Sequence, residues 1–160
     1  MERRLIVMRH ATAAPGSGLA SDHVRPLTAH GTAEALDVAA QLVERGWQPT
    51  RALVSDAART TETWWAMADL LGAPRSMLLS SLYGAGIEAL IYEVKRLPNE
   101  VDTVLVLGHN PGWSQAASWL CGHTLSLSTA NAVLLSADGS RWTDVLGAAG
   151  LTLRDVLRPE

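Results

Sequence analysis

Short runs of consecutive apolar residues alternate along this chain with longer stretches in which apolar residues recur every three or four positions. Leu5 to Met8, Ala52 to Val54 and Thr103 to Leu107 are too continuous for strands with one wet face and too short for helices, so each reads as a parallel strand buried on both faces. Ala132 to Leu135 reads as a fourth strand of the same sheet. Between them lie helical spacings. After Thr28, the residues Ala35, Leu36, Ala39, Leu42 and Val43 share one face, and Gly46 stands where a glycine cap ends a helix. A second helix is predicted from about Ala57 to Leu71, stopped by Gly72 and Pro74. A third is carried by Ile87, Leu90, Ile91 and Val94 and ends before Pro98. A fourth is predicted through about Leu120, with Asn110 as N-cap and Pro111 in the first helical position. Asp138-Gly139 predicts a hairpin turn into an antiparallel edge strand near Trp142. The last twenty residues carry no clear period. Ala13 to Ser21, rich in Gly, Ala and Ser, predicts a mobile loop.

Strand alternating with helix predicts an α/β fold: a single three-layer α/β/α domain over residues 1–160, with a mostly parallel central sheet and no large lid insertion. In such a sheet, ligands bind outside the carboxyl ends of the strands. Composition agrees with a packed core, since 48% of residues are hydrophobic and 18% charged. A formal net charge of -3 gives no broad attraction for nucleic acid or for an anionic membrane, so neither is expected as a partner. One cysteine, Cys121, excludes an intramolecular disulfide and suits a reducing compartment. Glu2-Arg3-Arg4 followed by Leu5 to Met8 starts like a signal peptide, but the apolar run stops at Arg9, and no run is long enough for a membrane span. The expected location is cytoplasmic.

The chemistry collects at the strand ends. Arg9-His10 follows the first strand, Ser55 leads to Arg59 after the second, and Gly108-His109 follows the third. Taken singly, an Arg-His pair reads as a solvated strand end, Arg59 as a surface residue, and His109 before Asn110-Pro111-Gly112 as turn chemistry. Together they would bring two arginines and two histidines to one crevice. Such a cluster suits a phosphoryl group, because guanidinium forks match phosphate oxygens and keep their charge.

At Leu5 to Thr12 (LIVMRHAT), Asp22 to Gly31 (DHVRPLTAHG), Ser55 to Thr63 (SDAARTTET) and Gly108 to Gly112 (GHNPG), the sequence resembles the histidine phosphatase superfamily, the phosphoglycerate mutase-like group, in its SixA type of phosphohistidine phosphatase. The match runs in order from about residue 3 to residue 135. The resemblance implies a metal-independent hydrolase without a cofactor, with His10 as nucleophile and Arg9, Arg59 and His109 as phosphate-binding groups; Arg25 is a further expected contact. On that reading His10 gives one ring N–H to a backbone acceptor and attacks phosphorus with the other nitrogen, while Arg9, Arg59 and a charged His109 stabilise the equatorial oxygens. Ser55 would add a hydroxyl contact to the phosphate or serve as a helix cap.

Several positions depart from the pattern. Many relatives carry a carboxylate where Ser80-Ser81-Leu82-Tyr83 stands, so the acid that protonates a leaving group falls to Asp22, which could equally be the ion-pair partner of Arg25; Glu88 is nearest otherwise. Ala11 replaces a common glycine, and Asp56 replaces a common proline and could pair with Arg59. Weak acid provision favours a phosphoramidate, whose nitrogen leaving group can already carry a proton, over an ester. The stretch from Gly72 to Val101 is too short for a large roof over the site, so a protein side chain could enter. The expected partners are phosphate anion and a phosphohistidine-bearing signalling or phosphotransfer protein. The alternatives are a phosphatase for nucleotide or sugar phosphates and an inactive phosphate-binding module. Trp113 is a candidate pocket wall. His23, His30 and His123 have no convergent position and read as exposed, and His10 with His109 is an incomplete metal-ligand set beside two arginines.

Overall fold

Along β1 (Glu2–Arg9), Leu5 and Val7 point to one side of the sheet and Ile6 and Met8 to the other, all fully buried. That alternation divides the whole core. Leu5 and Val7 join Val104, Val106, Val133 and Leu135 under the helices α3 (Ile87–Val94) and α4 (Gly112–Cys121). Ile6 and Met8 join Val54, Leu105, Leu107 and Leu134 under α1 (Ala29–Glu44) and α2 (Ala58–Ala68). Continuous apolar strands are thus explained by a helix pair on each face, the arrangement that gives three layers.

The computed structural model describes residues 1–16, 18 and 21–160. The expected mobile loop at Ala13 to Ser21 includes Ser17, Leu19 and Ala20, which lie outside the described residues. The sheet has six strands in the order β3 (Arg75–Leu79), β2 (Arg51–Ser55), β4 (Thr103–Gly108), β1, β5 (Ala132–Asp138) and β6 (Thr152–Leu157). The pairs β3·β2, β2·β4 and β4·β1 are parallel, and β5 is antiparallel to both β1 and β6. Only β5 therefore runs against the rest. Register places Arg9 beside Gly108 and Val54 beside Leu107, so the ends of β1, β4 and β2 stand next to one another.

Several expectations change in detail. The charged start of the chain is structural: Arg3 is buried, and its guanidinium donates to the carbonyls of Asn99, Val101, Gly139 and Ser140, extending β1 to Glu2. In α1, Thr28 caps the helix by accepting from Gly31 N–H at 3.0 Å, and Gly46 adopts φ 71°, as the spacing predicts. The buried face is Ala35, Val38, Ala39 and Leu42, whereas Leu36 and Val43 are exposed. Pro111 occupies the N-cap position of α4 rather than the first helical one, after a cis peptide, while the Asn110 side chain accepts from Ser114 N–H at 3.1 Å. Asp138-Gly139 is not a hairpin turn. Gly139 N–H is tied to Met1 O, the chain leaves the sheet to bury Trp142, and the antiparallel edge strand arrives later as β6. Among the described residues, no helix is long and apolar enough to cross a membrane.

Candidate active site

The cleft at the carboxyl ends of β1, β4 and β2 has a volume of about 490 Å3 and is lined by Arg9, His10, Asp22, Arg25, Arg59, Tyr83, Gly84, His109 and Asn110. β1 delivers Arg9 and His10, and the loop after β4 delivers His109. Arg59 stands in the first turn of α2, which follows β2 directly. A short 3-10 helix at Asp22–Val24 brings Asp22 over that turn. The His10 and His109 rings lie 5.4 Å apart, centroid to centroid. Arg9, His10, Arg59 and His109, from three distant places in the sequence, thus converge, as the strand-end pattern predicts.

His10 is 6% exposed, and its Nδ1 lies 2.7 Å from the carbonyl oxygen of Ala11. A carbonyl can only accept, so Nδ1 carries the proton and Nε2 keeps a free lone pair. Burial, and then the charges of Arg59, Arg9 and Arg25, hold the imidazole down to about 4 against the support of that hydrogen bond. His10 is therefore neutral near pH 7. Burial likewise lowers the Arg9 guanidinium, with Arg59 as a second cause. Arg9 donates to Leu127 O at 3.2 Å, and the Nε atoms of Arg9 and Arg59 are buried without a partner among the described residues. Unpaired buried donors of this kind are costly unless a ligand meets them.

His109 departs from expectation in its charge. Burial, Arg59 and His10 push it down to about 3, so in the free cleft it is neutral rather than cationic. Its Nε2 lies 2.7 Å from Ser55 Oγ, and its Nδ1 is buried without a partner among the described residues. Ser55 also corrects its expected role. It is fully buried behind His109 and does not reach the cleft, and α2 is not capped by its side chain. With Ala57 N–H directed at Ser55 Oγ over 3.5 Å, the hydroxyl is free to donate to His109 Nε2 and leave a proton on Nδ1.

Asp22 is an anion. Its Oδ2 accepts from Tyr83 OH at 2.6 Å and from Arg59 Nη2 at 2.9 Å, and its Oδ1 accepts from Arg25 Nε at 3.0 Å. The Tyr83 hydrogen bond, then Arg59, lowers the carboxyl to about 2, while the same bond raises the Tyr83 phenol. Asp22 therefore carries no proton to donate near neutral pH, which removes it as a resting general acid. The ion-pair reading holds, since Asp22 pairs with Arg25, and Asp22 also fixes Arg59, which was not expected. Glu88 is exposed in the first turn of α3 and does not line the cleft.

Asp56 does not blunt Arg59; its Oδ1 meets His23 Nε2 at 2.9 Å. His23 in turn sits edge-on to Tyr83, 4.9 Å between ring centroids, so it borders the cleft instead of standing apart, while His30 and His123 are exposed. Trp113 is core, not pocket wall: it is fully buried, donates to Val106 O at 3.1 Å and fills the space where a Cβ on Gly108 would stand. Tyr83, Gly84 and Asn110 are cleft residues that the sequence did not single out. The available signal for Tyr83 was the run Met77-Leu78-Leu79, a strand whose end would have placed it beside the others.

Fold and cleft together define a histidine phosphatase, a hydrolase of phosphorylated substrates. No protein-family model matches the chain. Within that superfamily the chain belongs to the SixA phosphohistidine phosphatase family: it is 34% identical over 134 residues to the phosphohistidine phosphatase SixA of Escherichia coli K12, covering 81% of this chain and 82% of that one. A SixA-type structure from Nakamurella multipartitia superposes with a TM-score of 0.83 at 30% identity, covering 99% of this chain and 97% of the other. The protein histidine phosphatase SixA complexed with tungstate superposes with a TM-score of 0.82 at 27% identity, over 98% and 97% of the two chains.

Proposed function

We propose that this chain hydrolyses phosphohistidine on a signalling or phosphotransfer protein through a covalent phosphohistidine at His10. The observation that carries this reading is the protonation of the cleft. It holds one free imidazole base among three guanidinium groups, while Asp22, the carboxyl group of the cleft, is held deprotonated by Tyr83 and Arg59 and has no proton for a leaving oxygen. A nitrogen leaving group can arrive protonated; an alkoxide cannot leave without help.

In the first step His10 Nε2 attacks phosphorus, the new P–N bond forms on His10, and the P–N bond to the substrate imidazole breaks, the electron pair staying on an imidazole that already bears a proton. Arg9, Arg25 and Arg59 bind the nonbridging oxygens, and His109 donates from Nδ1; dianion binding favours its protonation, so the positive charge expected there arrives with the substrate. Water then attacks phosphorus, the P–N bond to His10 breaks with its electron pair returning to Nε2, and the water's protons leave with the released phosphate, restoring neutral His10. Asp22 and Ser55 are positioning residues, acting through Arg59 and His109. Tungstate in the related SixA supports an oxyanion in this cleft. No divalent cation is called for, since the arginines already supply the charge that a metal would bring. The lone free cysteine, Cys121, needs no oxidising surroundings and supports a cytoplasmic setting.

Phosphate release should be followed, with chelator present, from a phosphorylated histidine-containing phosphotransfer domain and from p-nitrophenyl phosphate. The expected result is a kcat/KM at least ~100-fold higher on the phosphohistidine, lost in His10→Ala. Preference for the ester would assign a small-molecule phosphatase, and no release from either would assign a phosphate-binding module.

A further inference from the structure

Beside the cleft lies a shallow groove lined by His23, Val24, Ala58, Thr61, Trp65 and Leu78, with Asp56 and Glu62 at its edge. Its polar edge is already satisfied within the chain. Asp56 pairs with His23, and Glu62 Oε1 accepts from Leu27 N–H at 3.2 Å. What remains for a partner is apolar: Trp65 is 65% exposed, Val24 55% and Leu78 50%. Contiguous exposed apolar surface of this kind marks an interaction site, and tryptophan is the residue most enriched among residues that dominate binding energy.

The groove is continuous with the cleft through aromatic rings. His10 to His109, His109 to Tyr83 and Tyr83 to His23 are steps of 5.4, 5.5 and 4.9 Å, and His23 lines the groove. A side chain delivered to His10 therefore leaves its own backbone within a few helical turns of Trp65, one turn advancing 5.4 Å.

We propose that this groove docks the protein that carries the phosphohistidine, taking apolar residues of the same helix one to three turns from the phosphorylated side chain. The proposal rests on the phosphohistidine reading of the cleft. It assigns Trp65 and Leu78 to recognition of the protein and leaves the phosphoryl chemistry to the cleft, in the helix-in-groove manner of peptide recognition.

The test compares wild type, Trp65→Ala, Leu78→Gln and the double variant on two substrates, a histidine-containing phosphotransfer domain charged with phosphoramidate and the small compound phosphoimidazole. The expected result is a KM for the domain raised about 10-fold or more by Trp65→Ala and further in the double variant, with kcat/KM for phosphoimidazole unchanged. Unchanged kinetics on the domain would overturn docking while leaving the phosphohistidine reading intact, and equal losses on both substrates would overturn it by showing that the groove acts through the cleft. Sedimentation of wild type and Trp65→Ala adds a further outcome: a dimer that Trp65→Ala dissolves would make the groove a self-interface and overturn the proposal. Wild type that cleaves only p-nitrophenyl phosphate would fail the phosphohistidine reading first, and docking with it.

Discussion

His10 and His109 are kept neutral first by burial and then by the cations around them, and the same physics ties activity and stability to pH. Both fold with their pKa values depressed, to about 4 and about 3, below the ordinary 6.5 of an unfolded histidine. Above 6.5 neither folded nor unfolded chain protonates them. As pH falls below 6.5, the unfolded chain takes up protons that the folded chain refuses, so stability falls until the folded values are reached, by on the order of 3 kcal/mol for His10 and on the order of 5 kcal/mol for His109. The thermal midpoint should therefore drop between pH 6.5 and 4.5. A His109→Gln variant should show a shallower drop, and inorganic phosphate should reduce the wild-type slope by favouring the protonated form; equal slopes in all three would contradict the assignment. Arg9-His10 and His109 were legible in the sequence because they end apolar runs, and Arg59 because it follows the second such run within about one helical turn of Ser55 and matches the family motif. The local pair of Asp22 with Arg25 was legible too; the roles of Ser55 and Asp56 and the hold of Asp22 on Arg59 were not, because those partners' identities depend on contacts between residues 33 to 61 positions apart.

The elements hold these groups by close backbone approach, most tightly where α4 begins. A Cβ on Gly112 would stand 1.9 Å from Ala85 O, so only glycine lets α4 lie against the loop that carries Tyr83 and Gly84. Gly112→Ala should destabilise the fold by about 1–3 kcal/mol in urea unfolding and lower kcat by displacing His109, three residues upstream, or Tyr83. A variant with wild-type stability and wild-type kcat would show that the contact positions neither. At this scale the sequence was readable wherever a strand was buried on both faces: β1, β2, β4 and β5 all showed as apolar runs. The two edge strands did not. β3 carries the short run Met77-Leu78-Leu79, but as an edge strand with four of its five residues exposed it was not recognised, and β6 mixes charged with apolar residues and carries no run.

Across the whole molecule, topology creates the site. Placing β4 between β1 and β2 puts three strand ends side by side, and the crevice there collects side chains from the first third, the middle and the last third of the chain. The three-layer architecture was legible from strand and helix alternation; the apolar groove at Trp65 was not, because its residues come from the Asp22–Val24 turn, α2 and β3, which share no sequence pattern. On the proposed mechanism the phosphoryl group passes through His10 Nε2. Rapid quenching of wild type mixed with a phosphorylated phosphotransfer domain, followed by peptide mass spectrometry under alkaline conditions that preserve phosphohistidine, tests it directly. One transient phosphoryl group is expected on the peptide containing His10, assigned to His10 by fragmentation and absent in His10→Ala. Turnover with no phosphorylated His10 peptide at any time, or with turnover retained in His10→Ala, would contradict it.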